Sequence, residues 1–365
     1  MEEKILHRLA QVGYENAEER SGSFLQKDNE ILQNDTKKDQ PLILMSTGAA
    51  AQKFPELVKK YWWQAVKKDT DEFTQATALN EDEKGYFVYV KKNAKINFPV
   101  QACIFLNKAN SSQKVHNVVI LEDGAELNMI SGCASDPASL DAEHFGISEM
   151  YVGKNAKLSF TMLHAWTKGV KVRPRTTVIV DEGGTYISNY INMDGAEDIE
   201  MNPLTRLVGE GAVCRLNSVL VAPKGSHMDI GGKVILEVSK TKAEIVTRTI
   251  GLGGEVINRG MLCGKAQNVR AHLECHGLML SEDGYISAIP QLDAYTANAE
   301  MSHEAAVGRI APEEIEYLMA RGLTEEEATA TIVRGFLNVN IEGLPKDLAK
   351  KIQNTLDNFS LHHRN

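Results

Sequence analysis

The sequence predicts a mainly β protein: a right-handed parallel β-helix core over residues 86–297, flanked by helical segments at 1–85 and 298–365. Three observations carry this reading. Helical spacing of apolar residues is confined to the two ends. Between them, strand-like alternation is interrupted by turn residues at a near-constant interval. A small residue follows each of those turns.

The N-terminal region opens with a short amphipathic helix on Ile5, Leu6, Leu9, Ala10 and Val12. Pro55 suits a first helical turn and opens a stronger helix through Leu57, Val58, Tyr61, Trp62, Ala65 and Val66. The polar stretch 21–40 between them reads as a loose connector.

From Tyr86 the repeat can be counted. Residues 88–98, 119–129, 150–160, 178–188 and 206–216 align on Ala94, Ala125, Ala156, Gly184 and Ala212, with steps of 31, 31, 28 and 28. Two positions on stand Ile96, Leu127, Leu158, Tyr186 and Cys214; four before stand Val90, Leu121, Val152, Val180 and Val208. These are inward-facing ladders. Residues 236–246 continue the series one residue out of register, and the stretch from Leu278 reads as its last turn. Such a period without intervening helices fits a solenoid, whose coils bury their apolar side only by stacking on neighbours. A propeller blade needs a longer unit. An antiparallel sandwich, which would not keep a constant column of small residues, ranks second.

Helical signals return after Ala297. Pro312, Glu313 and Glu314 open a helix ending at Gly322; Thr324 and Glu327 form a capping box, with Leu323 as staple, for a helix reaching Phe336. A last helix is expected over 345–359.

Composition narrows the function. A formal net charge of -9 over 365 residues gives no general attraction to phosphate backbones or anionic lipid, so neither nucleic acid nor membrane is an expected partner. The charged N-terminus has no signal-peptide core and no apolar run reaches membrane-spanning length, so the expected location is the cytoplasm. The five cysteines, at 103, 133, 214, 263 and 275, include no C-x-x-C pair, so they are free thiols or ligands gathered by the fold. No phosphate-cradling P-loop is present, and the glycine run 251–254 reads as a turn between coils.

Two groups of residues are chemical candidates. Eight positions beyond the repeat anchors stand Ala102, Cys133, His164, Asn192 and Leu220, so Cys133 and His164 become neighbours one rung apart, roughly 5 Å. They are either aligned core residues or a thiol whose thiolate an imidazole favours. Cys214, in an inward-facing ladder, reads as core. The second group is Cys263, His272, Cys275 and His276, followed by His303 and Glu304 after the final coil; thiolate, imidazole and carboxylate are ligands that iron accepts.

Residues 301–337, MSHEAAVGRIAPEEIEYLMARGLTEEEATATIVRGFL, resemble the C-terminal signature of the SufB/SufD family. PELVKKYWW from Pro55, ISGCAS around Cys133 and NVRAHLECHGLMLSEDG around Cys275 are similar to its other segments, in the same order. The resemblance implies a non-enzymatic scaffold for iron-sulfur cluster assembly that holds a transient 4Fe-4S cluster for recipient apoproteins. It implies pairing with a second SufB/SufD-type subunit through the C-terminal end of the β-helix, and docking of a SufC-type ABC ATPase on the C-terminal helices. By the same resemblance, Cys133 matches the cysteine that accepts sulfur from a cysteine desulfurase or sulfur carrier. Cys275 matches the assembly-site cysteine, and His303 and Glu304 match the His-Glu of its motif; Cys263 or His276, which the resemblance does not assign, is a candidate for an additional ligand. Ser302 stands where SufB has a carboxylate, and the N-terminal cysteine motif of long SufB proteins is absent. The chain therefore resembles the short archaeal or anaerobe form, expected to act as a homodimer. Two other readings compete, a β-helix carbohydrate-active enzyme and a purely structural adaptor; the columns offer no repeated carboxylate pair for the first.

Overall fold

The computed structural model describes residues 3–15, 19–79, 84–194 and 196–337. The chain begins with α1 (Glu3–Gln11), β1 (Gly22–Lys27), β2 (Glu30–Thr36), β3 (Leu42–Ser46), α2 (Thr47–Lys53), α3 (Pro55–Tyr61) and α4 (Glu72–Ala78). Then come β4 (Tyr86–Val90), β5 (Val100–Leu106), β6 (Ser112–Leu121), β7 (Glu126–Ser135), β8 (Ala142–Val152), β9 (Lys157–Ala165), β10 (Val170–Val172), β11 (Arg175–Val180) and β12 (Thr185–Asp194). The rest are β13 (Asp198–Met201), β14 (Leu204–Leu207), β15 (Val213–Pro223), β16 (His227–Leu236), β17 (Lys242–Leu252), β18 (Glu255–Gly264), β19 (Val269–Met279), β20 (Tyr285–Ala294) and β21 (Ala299–Gly308). Two helices follow, α5 (Pro312–Met319) and α6 (Glu325–Leu337). The helix expected over 345–359 lies outside the described residues.

The strands form a β-solenoid of about eight turns built from two sheets. One runs β2-β1-β5-β7-β9-β12-β15-β17-β19-β21; the other runs from β3 through β4, β6, β8, β11, β14 and β16 to β18 and β20. Among the described strands pairing is parallel from coil to coil, with antiparallel strand pairs only at the start, β2 on β1 and β3 on β4. Alternate residues of both sheets point inward and fill one continuous apolar core.

The repeat and the registers agree over most of the ladder. Leu127, Leu158, Tyr186 and Cys214 are successive register partners, as are Val90, Leu121, Val152 and Val180. The next rung is Leu207, not Val208. That turn holds one extra residue, and Gly209 lies so close to the preceding coil that a Cβ would fall 1.9 Å from the Glu182 nitrogen. The partner of Cys133 is Ile104 rather than Ala102, because the segment before Val100 holds two more residues than its counterpart in the next coil.

Strands extend on both sides of 86–297. The stretch 21–40 is a hairpin, not a connector: β1 lies parallel to β5, with Phe24 in the core, and β2 covers its free edge. The polarity of β2 is that of an exposed edge strand. At the other end β21 carries His303 and Glu304, so these residues belong to the last coil and do not fold back over it.

The helix starting at Pro55 ends at Tyr61, short of Val66. A carboxylate from the solenoid captures the chain there. Glu149 of β8 is fully buried and accepts the amides of Trp63, Ala65 and Val66 at 2.6, 2.6 and 3.0 Å, together with His116 Nε2 at 2.8 Å. Trp62 and Trp63 flank the imidazole, with ring centroids 4.6 and 4.3 Å away. Removing a buried charge partner typically costs several kcal/mol. Glu149→Ala should therefore weaken the docking of 47–78 by about 3 kcal/mol, read as faster hydrogen exchange in that segment. Unchanged exchange there would mean that the apolar contacts of α2 and α3 suffice.

Candidate functional site

Strand parity decides which candidates can meet. Cys133 and His164 are register partners on β7 and β9, both buried and both facing the solenoid interior. His164 Nδ1 is hydrogen-bonded to the Tyr190 hydroxyl at 3.0 Å; beyond it lie Trp166 and His144, whose Nδ1 is 2.9 Å from Gln113 Oε1. Burial, reinforced by His144, lowers the His164 pKa to about 3, and burial lowers that of His144 to about 4. Burial, with a smaller contribution from Cys103, pushes the Cys133 thiol up. The imidazole is thus neutral near pH 7 and supplies no positive charge to a thiolate, contrary to what its proximity suggests.

Cys214 faces the same interior, where burial raises it to about 12, in keeping with a core residue. The interior is not wholly apolar. Trp166 Nε1, Asn192 Oδ1, Thr249 Oγ1 and Asn258 Oδ1 are buried there without a hydrogen-bond partner in the protein.

At the C-terminal end, β19 and β21 divide the second group between two faces. Cys275 follows Val269, Ala271 and Leu273 on the inner face, and His303 is the register partner of Leu273, so thiol and imidazole share that face. Burial, with Glu274 adding and Arg248 opposing, raises the Cys275 thiol to about 11. His272, Glu274 and His276 alternate onto the outer face, with Ser302 and Glu304 as partners on β21. There His272 Nδ1 is 2.9 Å from Ser302 Oγ, and His276 lies 3.3 Å from Glu274 Oε1 and 3.4 Å from Glu304 Oε1. Cys275 and Glu304 therefore stand on opposite faces of one sheet and do not converge within the chain. Cys263 is farther removed, on the outward side of β18 in the other sheet, beside Lys233, Lys265 and Asp293. Among the described residues, no three His, Cys, Asp or Glu side chains are gathered to hold a metal ion.

Sequence reasoning missed Glu274 and Arg248, which flank the site. Their signal was parity: Glu274 and His276 bracket Cys275, and Arg248 is the register partner of His276.

The last coil is also where the sheets stay open. Among the described residues β20 pairs only with β18 and β21 only with β19, whereas antiparallel strands cover the first coil. Tyr285, Ile289 and Val307, on these two strands, are 55%, 43% and 42% exposed. Among the described residues no helix is long and apolar enough to cross a membrane.

The arrangement predicts an order of thiol reactivity. Alkylation of the folded chain near pH 8 should modify Cys263, which points outward from β18 although it is only 4% exposed, before Cys133 and Cys214, which point into the solenoid interior. Cys133 labelling as fast as Cys263 in peptide mapping would show that the interior opens readily.

Comparison with known proteins identifies a family over most of the chain. Residues 104–336 match the family described as SUF system FeS cluster assembly, SufBD core domain, and residues 21–102 match the SufBD protein N-terminal region. An iron-sulfur cluster assembly SufBD family protein of Archaeoglobus fulgidus is 47% identical over 351 residues, covering 96% of this chain and 94% of that protein. A protein of the same description from Methanothermobacter thermautotrophicus is 42% identical over 359 residues, covering 97% and 87%. Another from Pyrococcus horikoshii is 30% identical over 335 residues, covering 90% and 73%. The fold, the two contiguous family matches and this near-complete coverage place the chain in the SufBD family of iron-sulfur cluster assembly proteins.

Proposed function

We propose that the chain is the scaffold subunit on which the cluster, its cargo, is built, at an interface between two copies. The observation that carries this reading is the placement of Cys275 and His303 on one face at the uncapped end of the solenoid. An open parallel edge offers rows of unpaired amides and carbonyls that a second strand can complete. Two β21 edges meeting antiparallel about a two-fold axis would bring together two thiols and two imidazoles. Four ligands match the four irons of a 4Fe-4S cluster. Glu304 and His276, on the other face, would join only after rearrangement of β21.

Sulfur from a cysteine desulfurase or carrier would enter at Cys133, which faces the same interior as Cys275. The unpaired polar atoms of Asn192 and Thr249 lie on strands between those that carry the two thiols, which supports passage through the interior. ATP hydrolysis would belong to a SufC-type partner docked on α5 and α6. In support, α5 buries none of its residues, and Tyr317 and Met319 are 58% and 43% exposed. The finished cluster would pass to apoproteins in the cytoplasm.

Anaerobic reconstitution tests the reading. The wild-type chain should acquire iron and acid-labile sulfide together, Cys275→Ala should acquire neither, and His303→Ala should retain the cluster about tenfold less tightly. A wild-type chain that takes up neither would favour the structural adaptor. Cys133→Ser should block persulfide transfer from the desulfurase yet leave reconstitution from free iron and sulfide intact; equal transfer to wild type and mutant would remove Cys133 from the pathway.

A further inference from the structure

The outer face of the ten-stranded sheet carries a polar row across three adjacent strands. Arg248 lies on β17, Glu274 and His276 on β19, and Glu304 on β21. The Arg248 guanidinium pairs with Glu274 Oε1, the oxygen that also lies 3.3 Å from His276 Nδ1. His276 Nε2 is buried outside hydrogen-bond geometry, 3.4 Å from Glu304 Oε1.

Helix α6 holds the other end of the row. Its Val333 and Leu337 belong to the same apolar cluster as Ile250 and Leu278, and the Phe336 ring lies 5.8 Å from the Arg248 guanidinium carbon. Arg248 is only 19% exposed, and its Nη1 has no hydrogen-bond partner. A guanidinium held by one carboxylate and one aromatic face depends on both for its position.

We propose that this row couples α6 to Glu304, with Arg248 and Glu274 as positioning residues. Docking of a partner on α5 and α6 would shift Phe336, release Arg248 and reset the Glu274, His276 and Glu304 contacts on β21. The inference deepens the function proposed above and rests on its assignment of α5 and α6 as the ATPase surface and Glu304 as part of the assembly site.

Hydrogen exchange of the full chain without partners tests the coupling. Phe336→Leu should speed exchange of the β21 amides over 302–306 about threefold, with β16 in the other sheet unchanged. In an Arg248→Met or Glu274→Gln background, the same substitution should change β21 exchange less than about twofold. The proposal is overturned by unchanged β21 exchange in Phe336→Leu, or by an equal response in both backgrounds. Adding the ATPase distinguishes the two levels of the argument. Altered β21 exchange in wild type but not in Glu274→Gln supports transmission through the row, and an equal alteration in both overturns it. Absence of ATPase binding to wild type would sink the docking assignment and leave the partner-free result to judge the coupling.

Discussion

The parallel hydrogen-bond ladder between coils is the constraint on which the rest of the structure depends. Because each residue is locked opposite its counterpart one coil away, parity along a strand fixes whether a side chain joins the core or the surface. Within β19 this separates Cys275 from its neighbours Glu274 and His276, although all three are adjacent in sequence. The chemical identity of the site is therefore set by register: thiol and one imidazole inside, carboxylates and the other imidazoles outside.

The two ends of the solenoid meet that constraint differently. At the start, β2 and β3 turn antiparallel and occupy the edges of β1 and β4, while α1 places Ile5 and Leu9 against the outer apolar cluster. At the finish, β20 and β21 continue the parallel stack and then stop. Long unprotected edges are a liability in a monomer, and natural sheets blunt or cover them. Among the described residues the start is capped, and the open edge lies at the end that carries Cys275 and His303.

Much of the core was legible because a solenoid writes its three-dimensional neighbours as a sequence period. The ladder through Leu127, Leu158, Tyr186 and Cys214 needed only correct spacing. So did the capping box, where Thr324 and Glu327 exchange backbone-to-side-chain bonds of 2.8 and 3.1 Å. What stayed hidden was information carried by distant residues. The end of α3 depends on Glu149, more than eighty positions away, and β2 lacks the apolar signature of a strand because one edge faces solvent. A single-residue difference in turn length displaced Val208 in favour of Leu207, and a periodic reading of the sequence does not resolve such insertions. The split of the candidate ligands between two faces was accessible in principle, since it follows from parity once 299–308 is recognised as a strand.

The interior placement of Cys133 and Cys275 has a further consequence for a protein that handles sulfur. Burial disfavours the thiolate, the form that attacks disulfides, binds metal and is readily oxidised. Holding both thiols above their ordinary range protects them in the resting chain and also makes them poor nucleophiles there. His164 does not relieve this, because the same low-polarity surroundings keep it neutral; desolvation acts on acid and base together and suppresses both charged forms. Cys275 differs because Arg248 lies near enough to oppose burial, and because its strand β19 is next to the last of its sheet, with β21 beyond it. A neighbouring positive charge therefore opposes burial at Cys275 and not at Cys133. Both thiols sit on strands paired on both sides, but a change at the open end reaches Cys275 across one strand, β21, whereas Cys133 lies several coils away from it.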